Sequence, residues 1–480
     1  MKELCERAVN LMRMRGAEYG DVRVVHSREQ HVEVKNGAVE SVSYDQSEGF
    51  GVRVLVGGAW GFAASRVLKT DEVERVVARA VEIAHASGTV LDRRITLAAV
   101  IPAVGRWNSP CEIDPFAVPL DEKLAMLVAA SNALKAEKAV TLGQCYFTCF
   151  ETVKTFASTE GARVDQTIVE SGGGLAATAI KDGEMQVRSY PNSFRGNFAT
   201  RGWEYVKAMN LVGNAARVAS EAAQLIAAPQ CPAGKRTIIL DGGQLALQVH
   251  ESIGHPIELD RVLGLEAGFA GTSFLKPSDV GKLRYGSEHV NVVADATVPG
   301  GLGSFGYDDE GVPAERTDII KAGIFAGFLS SRETAHAIGR DSSGTMRASG
   351  WHAIPLIRMT NVNLLPGAWD FDALVADTDD GLLMTTNRSW SIDDKRLNFQ
   401  FGCEIAREIK GGKLGRVYRN PTYTGITPEF WGSCDAVCSP RHWNMWGTPN
   451  CGKGEPTQTA HVGHGTAPAR FRNVRVGVLK

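Results

Sequence analysis

The chain has 480 residues, 44% of them apolar and 22% charged, and its 52 basic and 54 acidic side chains nearly cancel. That balance supplies no field to draw in nucleic acid or an anionic membrane, and the length exceeds what one core usually supports, so two or three domains are expected. The opening Met1-Lys2-Glu3-Leu4-Cys5-Glu6-Arg7 lacks the apolar core of a signal peptide and no long apolar window follows, so a cytoplasmic protein with its nine cysteines reduced is expected.

In chain order, a short amphipathic helix is predicted over residues 3–16. Strand patterns follow at 21–28, 31–35, 38–44, 49–56 and 60–64, with hairpin turns at Asn36-Gly37 and Gly57-Gly58. Thr70 and Asp71 are predicted to cap a helix in which Val73, Val76, Val77, Ala80, Val81 and Ala84 recur at helical spacing. The passage 102–119, bounded by prolines, leads to a helix over 121–136. Strands at 140–155, 163–170 and, less regularly, 176–190 precede one long helix over 203–228.

This order implies an α+β fold: an N-terminal domain, 1–228, of helices packed on an antiparallel sheet. Pro229 and the turn Cys231-Pro232-Ala233-Gly234 mark a boundary. Beyond it, 229–480 reads as a β-rich domain that carries one important helix, with strands at 236–240, 289–294, 319–329, 356–364, 381–386 and 399–409.

That helix leads into His250-Glu251-Ser252-Ile253-Gly254-His255-Pro256-Ile257-Glu258-Leu259-Asp260, which holds two imidazoles and three carboxylates within eleven positions. These are ligand types that Zn2+ prefers, with Glu251 placed to act as a base. The spacing is awkward, because residues five apart stand about 140° apart around a regular helix. A helix over 241–253 ending in a sharp bend would return His255 to the same ion, since Gly254 accepts left-handed or bulged geometry at no steric cost and Pro256 disfavours the α region for His255. The alternative is a capped helix end with two partly buried histidines.

Other constellations compete. Cys145 with Cys149 and Cys434 with Cys438 lack the Cys-x-x-Cys spacing of zinc ribbons and read as buried thiols. Gly301 to Gly306 fits a dinucleotide glycine skeleton, yet Tyr307-Asp308-Asp309 follows where a helix should begin, so a β connection is expected. The aromatic-rich stretch 418–446, with Tyr423, Phe430, Trp431, Trp443 and Trp446, suits a peptide cleft, a subunit interface or a core equally.

The segments Gly49-Phe50-Gly51-Val52-Arg53-Val54-Leu55 and Ala59-Trp60-Gly61-Phe62-Ala63, the 250–260 motif, Asp308-Asp309-Glu310-Gly311 and Cys451-Gly452-Lys453-Gly454 together resemble a TldD-type peptidase of the TldD/PmbA family. The likeness runs over nearly the whole chain. It implies a cytosolic zinc metallopeptidase acting on small or unfolded polypeptides, with one Zn2+ per active subunit. It implies a dimer as well, either a homodimer or a heterodimer with a related subunit lacking the metal motif.

The resemblance makes His250, His255 and Cys451 the zinc ligands and Glu251 the catalytic base. Glu258 and Asp260 become carboxylates that orient the imidazoles, or else solvated loop acids. His461 and His464 compete for the third ligand position or line a substrate cleft, together with Gly303 and Asp309. Residues 388–394 and the Trp-rich tail depart from the family's pattern, so its usual pairing need not apply and self-association is an alternative. The competing function is a non-catalytic peptide-binding subunit whose metal site is structural.

Overall fold

A computed structural model describes residues 1–268 and 271–477. The fold is α+β. Helix α1 (Lys2–Met14) is followed by β1 (Tyr19–Lys35), β2 (Ala38–Val56), β3 (Ala59–Ser65), α2 (Thr70–Gly88), β4 (Val104–Asn108) and α3 (Leu120–Lys135). Next come β5 (Val140–Ser158), β6 (Arg163–Lys181), β7 (Glu184–Tyr190), β8 (Asn197–Ala199), α4 (Trp203–Ala208) and α5 (Leu211–Ala227). The strands form one sheet in the order β3-β2-β1-β5-β6, and the far side of β6 is shared by β4, β8 and β7. All pairings are antiparallel except β4 with β6.

Helices cover one face of this sheet. Helix α2 buries Val73, Val76, Val77, Ala80, Val81 and Ala84, the six residues its periodicity marks, and each buried valine stabilises by about 1.5 to 2 kcal/mol. Helices α3 and α5 cover the β5 and β6 end with a second core built around Leu127, Leu134, Phe147, Trp203 and Val218.

Several local expectations are corrected here. The segments predicted as 21–28 and 31–35 run as the single strand β1, and 38–44 and 49–56 as β2, because their polar middles still pair in register, Glu29 opposite Asp45 and Gln30 opposite Tyr44. Neither Thr70 nor Asp71 caps α2; its N-cap is Lys69, with no side-chain bond. The predicted helix over 203–228 breaks at Asn210, which adopts φ 47° and caps α5 by accepting from the Gly213 N–H. Asparagine tolerates that backbone conformation and is a good cap, so two helices form. Strand β4 falls within the predicted irregular passage 102–119.

The C-terminal half begins with β9 (Gly234–Leu240) and α6 (Gly242–Val249), then β10 (Val292–Asp295), β11 (Arg316–Lys321), β12 (Ile324–Phe325), β13 (Met346–Arg347), β14 (Leu356–Ile357) and β15 (Val362–Leu364). It ends with β16 (Asp380–Ile392), β17 (Asn398–Lys410), β18 (Lys413–Tyr418), β19 (Thr422–Ile426), β20 (Cys434–Val437), β21 (Asn444–Lys453), β22 (Gln458–Thr466) and β23 (Ala469–Val476). The sheet β16-β9-β23-β19-β17 closes on itself because β17 also pairs with β16. Its core takes in Tyr423, Phe430, Trp431 and Phe471, so most of the aromatic-rich stretch is packing. Cys145 and Cys149, like Cys434 and Cys438, are buried free thiols in the two cores.

Ion pairs join the N-terminal half to this one, two of them largely buried and the third, to Glu160, at an exposed turn. Arg188 bonds Glu404 at 2.8 Å, Lys154 meets Asp309 at 2.5 Å, and Arg332 forks onto Glu160 at 2.7 and 2.9 Å. Among the described residues, no helix is long and apolar enough to cross a membrane.

Candidate metal centre

Helix α6 is fixed before any metal is considered. Asp241 caps it, Oδ1 accepting from the Gln244 N–H at 2.8 Å. Gln244, Gln248 and Ser252, four residues apart on one face, then bond into the barrel. Gln244 donates to the Tyr423 hydroxyl at 2.8 Å, that hydroxyl donates to Gln248 at 2.9 Å, and Trp431 Nε1 donates to the Ser252 hydroxyl at 2.9 Å. The opposite face, with Ala246, Leu247, His250 and Glu251, borders a cavity.

After Val249 the helix widens by one residue per turn. The N–H of His255 donates to the carbonyl of His250 at 3.1 Å, a π-type bond spanning five residues instead of four. The two imidazoles therefore come to the same side, with ring centroids 4.8 Å apart and planes at 90°. This corrects the predicted bend, since His255 stays helical at φ −68° and ψ −43° despite Pro256. The bias before proline is a preference, and the added turn outweighs it. Of the two geometries expected at Gly254, left-handed or bulged, the bulged one forms, and a Cβ there would collide with Met359.

Cys451 arrives from β21, opposite Ala460 of β22 and just after a bulge. Its sulfur lies 3.8 Å from His255 Nε2, and the donor atoms of His250, His255 and Cys451 all lie within 4.8 Å of one another, in buried residues. Arg358 locks the hairpin, donating to the carbonyls of Cys451 and Gln458.

Hydrogen bonds fix which ring nitrogens face the cluster. His464 Nδ1 faces the Val362 carbonyl at 3.1 Å and must donate to it, so His464 Nε2 is bare and accepts from His250 Nδ1 at 2.8 Å. His255 Nδ1 donates to Glu258 Oε2 at 3.0 Å. Both ligand candidates thus keep a lone pair on Nε2. Burial lowers the pKa of both, outweighing the nearby acidic groups, and so keeps them neutral. Burial alone would raise the Cys451 thiol, but Arg358 and His255 outweigh it and hold the thiol below its ordinary value.

A buried charge cluster stands behind the histidines. Lys453 Nζ bonds both oxygens of Asp260 at 2.8 Å and lies 3.5 Å from Glu258. Despite burial, Lys453 and His255 hold the Glu258 carboxyl well below the usual range. Glu258 therefore meets an imidazole directly. Asp260 does not; it neutralises Lys453 instead, and neither acid is a solvated loop residue.

Glu251 faces the same cavity and is paired through Oε2 with Nη1 of Arg396. Arg396 sits at φ 61° in the turn between β16 and β17, where Asp393 accepts from the Leu397 N–H at 2.7 Å and the Thr427 hydroxyl donates to the Arg396 carbonyl at 2.8 Å. The cavity, of about 280 Å3, opens into a cleft of about 1280 Å3 bordered by the helix-free face of the N-terminal sheet; Asn192, Phe194, Asn387 and Asn450 line both.

The remaining candidates separate. His464 stands outside the donor cluster, with both ring nitrogens engaged by His250 and the Val362 carbonyl. His461 lines the large cleft and pairs with Glu170 at 2.7 Å, away from the cluster. Asp309 borders the cleft, but its carboxylate is engaged by Lys154 and by the Ala348 N–H at 2.8 Å. Gly303 does not open onto the cleft; it packs against Thr360, where a Cβ would collide, while Leu302 and Ser304 reach the opening.

Arg396, Arg358 and Lys453 escape the sequence reading, since lone cations in turns and strands look solvated. The acids Glu258 and Asp260 were the available signal for Lys453: if both are buried, a buried cation must answer them.

A metalloprotease of Methanocaldococcus jannaschii is 30% identical to this chain over 420 residues, covering 88% of this chain and 89% of that protein. A zinc metalloprotease TldD homolog of Saccharolobus solfataricus is 24% identical over 250 residues, 51% of this chain and 52% of that protein. With the converging donors and the adjacent carboxylate, these relatives define the class: the protein is a metallopeptidase. Models of the PmbA/TldA metallopeptidase match as domain 1 over residues 20–84, central domain over 113–228 and C-terminal domain over 233–478. The chain belongs to the TldD/PmbA family.

The fold agrees with solved structures. A protein of Thermotoga maritima described as a modulator of a DNA gyrase superposes with TM-score 0.76 at 19% identity, covering 99% of this chain and all of that one. TldE from Thermococcus kodakarensis superposes with TM-score 0.71 at 16% identity, covering 98% of this chain and all of that one.

Proposed function

We propose that the protein is a zinc-dependent peptidase that hydrolyses peptide bonds in small or unfolded polypeptides, with His250, His255 and Cys451 as ligands and Glu251 as general base. The observation that carries the reading is the convergence of three buried donors beside a carboxylate that opens on the same cavity. One spacing fits zinc: about 3.6 Å separates nitrogen and sulfur around a tetrahedral zinc, close to the 3.8 Å between His255 Nε2 and Cys451 Sγ, and the donors all lie within 4.8 Å of one another. Three protein donors leave one position for water or substrate, as a catalytic site requires.

Bound there, zinc would activate water and polarise the scissile carbonyl. The chain's own residues do the rest. Arg396 holds Oε2 of Glu251, leaving Oε1 to take the proton as the water oxygen attacks the carbonyl carbon. When the carbon–nitrogen bond breaks, the same oxygen returns the proton to the leaving amine. His464 and Glu258 keep the ligand rings oriented through this sequence.

We read the chain as two domains, 1–228 and 229–480, with the cleft between them admitting an extended chain. Membership of the TldD/PmbA family suggests pairing with a related subunit that lacks the metal motif, and a homodimer is the alternative. A cytoplasmic location follows from the same reading.

The decisive experiment compares wild type with Glu251→Gln for metal content and for cleavage of an unfolded peptide. The expected result is one zinc per chain in both and a kcat lowered about 100-fold to 10,000-fold in the variant. Equal cleavage by the two proteins would remove Glu251 as base, and metal-free wild type that still cleaves would remove the metal mechanism.

A further inference from the structure

Two large aromatic side chains at the metal cavity have no part in the proposed hydrolysis. Phe194 and Trp390 are 51% and 44% exposed, and they stand edge to face with ring centroids 5.2 Å apart and planes at 89°. Both line the cavity that holds Glu251 and the three donors.

Each ring is brought there by an irregularity of the backbone. In β16, Asn387 pairs with Cys403 and Trp390 with Phe401, so three steps on one strand match two on the other and Arg388 is the extra residue of a bulge. On a regular strand, residues three apart point to opposite faces; the bulge turns Trp390 to the face of Asn387, and both reach the cavity. Phe194 lies in the loop between β7 and β8, where Phe194, Arg195 and Gly196 take φ values of 54°, 74° and 96°. Side-chain-bearing residues avoid this region. The loop is held there because Gly196 packs on Gly173 and Gly174 of β6, with no room for a Cβ.

Packing does not offset that strain, because the Phe194 ring is half exposed. Strain retained by an uncovered aromatic beside a reactive site points to a use for the ring. We propose that Phe194 and Trp390 form a specificity subsite of the peptidase, receiving a large apolar side chain of the substrate close to the scissile bond. The proposal rests on the metallopeptidase reading. Its occupant is argued from continuity: a peptide reaching the donors from the large cleft passes Phe194, which lines both spaces. Two rings set edge to face offer an aliphatic or aromatic side chain contact that a polar one cannot use.

The test is binding of short unstructured peptides to zinc-loaded Glu251→Gln, followed by calorimetry. The peptides carry one Leu, Phe, Ser or Asp in a common Gly-Ala frame. The Leu and Phe peptides should bind about 10-fold to 100-fold more tightly than the Ser and Asp peptides, and Trp390→Ala should reduce that ratio to about threefold without weakening the polar peptides. Trp390→Phe should keep most of the preference, and Phe194→Ala should lose part of it. The proposal is overturned if all four peptides weaken together, if the preference survives both alanine variants, or if Trp390→Ala changes only the oligomeric mass, which would mean a second copy covers the rings. A Glu251→Gln protein that still cleaves would count against the hydrolytic mechanism, and the same peptide series would then be read on that variant stripped of zinc, so the two failures stay distinguishable.

Discussion

His464 accepts from His250 through Nε2 at 2.8 Å while donating its Nδ1–H to the Val362 carbonyl, so it sets the tautomer of a candidate metal ligand from outside the donor cluster. Replacing His464 with Ala should lower zinc affinity about 10-fold to 100-fold while the fold persists. Competition with a chelating indicator, alongside circular dichroism, reads both. Unchanged affinity would mean that His250 needs no support from that side.

Gly254 sits where a methyl group would strike Met359, inside the widened turn that aligns the histidines. Gly254→Ala should destabilise the protein by about 1 to 3 kcal/mol, the usual cost of overpacking. The loss should shrink when Met359 is also replaced by Ala, because the two changes share one space. Urea unfolding of the single and double variants checks this, and full additivity would show that the collision is relieved elsewhere.

Asp309 gives a dependence on pH. Burial alone would raise its pKa, but Lys154 and Arg23 outweigh burial and hold the carboxyl below its ordinary value. A depressed pKa contributes stability that is present above the unfolded value near 4 and is lost as pH falls through the folded value. Asp309→Asn should therefore cost about 3 to 5 kcal/mol at pH 7, with the deficit shrinking below about pH 4. Urea midpoints of the two proteins across that range provide the measurement, and a deficit independent of pH would refute the assignment.

The sequence made the helices and hairpins of the first half readable, because Asn36-Gly37, Gly57-Gly58 and the six inward residues of α2 are local signals. It could not show that Asn210 breaks a helix, since asparagine is also tolerated inside one. The donors His250, His255 and Cys451 were named from motif and resemblance, and their convergence is geometric. Which of the two geometries open to Gly254 takes up a spacing of five was not legible, because one extra residue in a helical turn depends on tertiary contacts such as Met359 against Gly254. The same holds for Arg396, whose pairing with Glu251 depends on where a hairpin turn far along the chain comes to rest.

Cys451 stands 196 positions after His255, on a hairpin that closes with β22. A centre built from both cannot assemble while the chain is still emerging from the ribosome, because its last donor is made long after the first two. With the ligand set proposed above, the site would be complete only once most of the chain has been translated, so the unfinished chain would carry two of its three donors and no working centre.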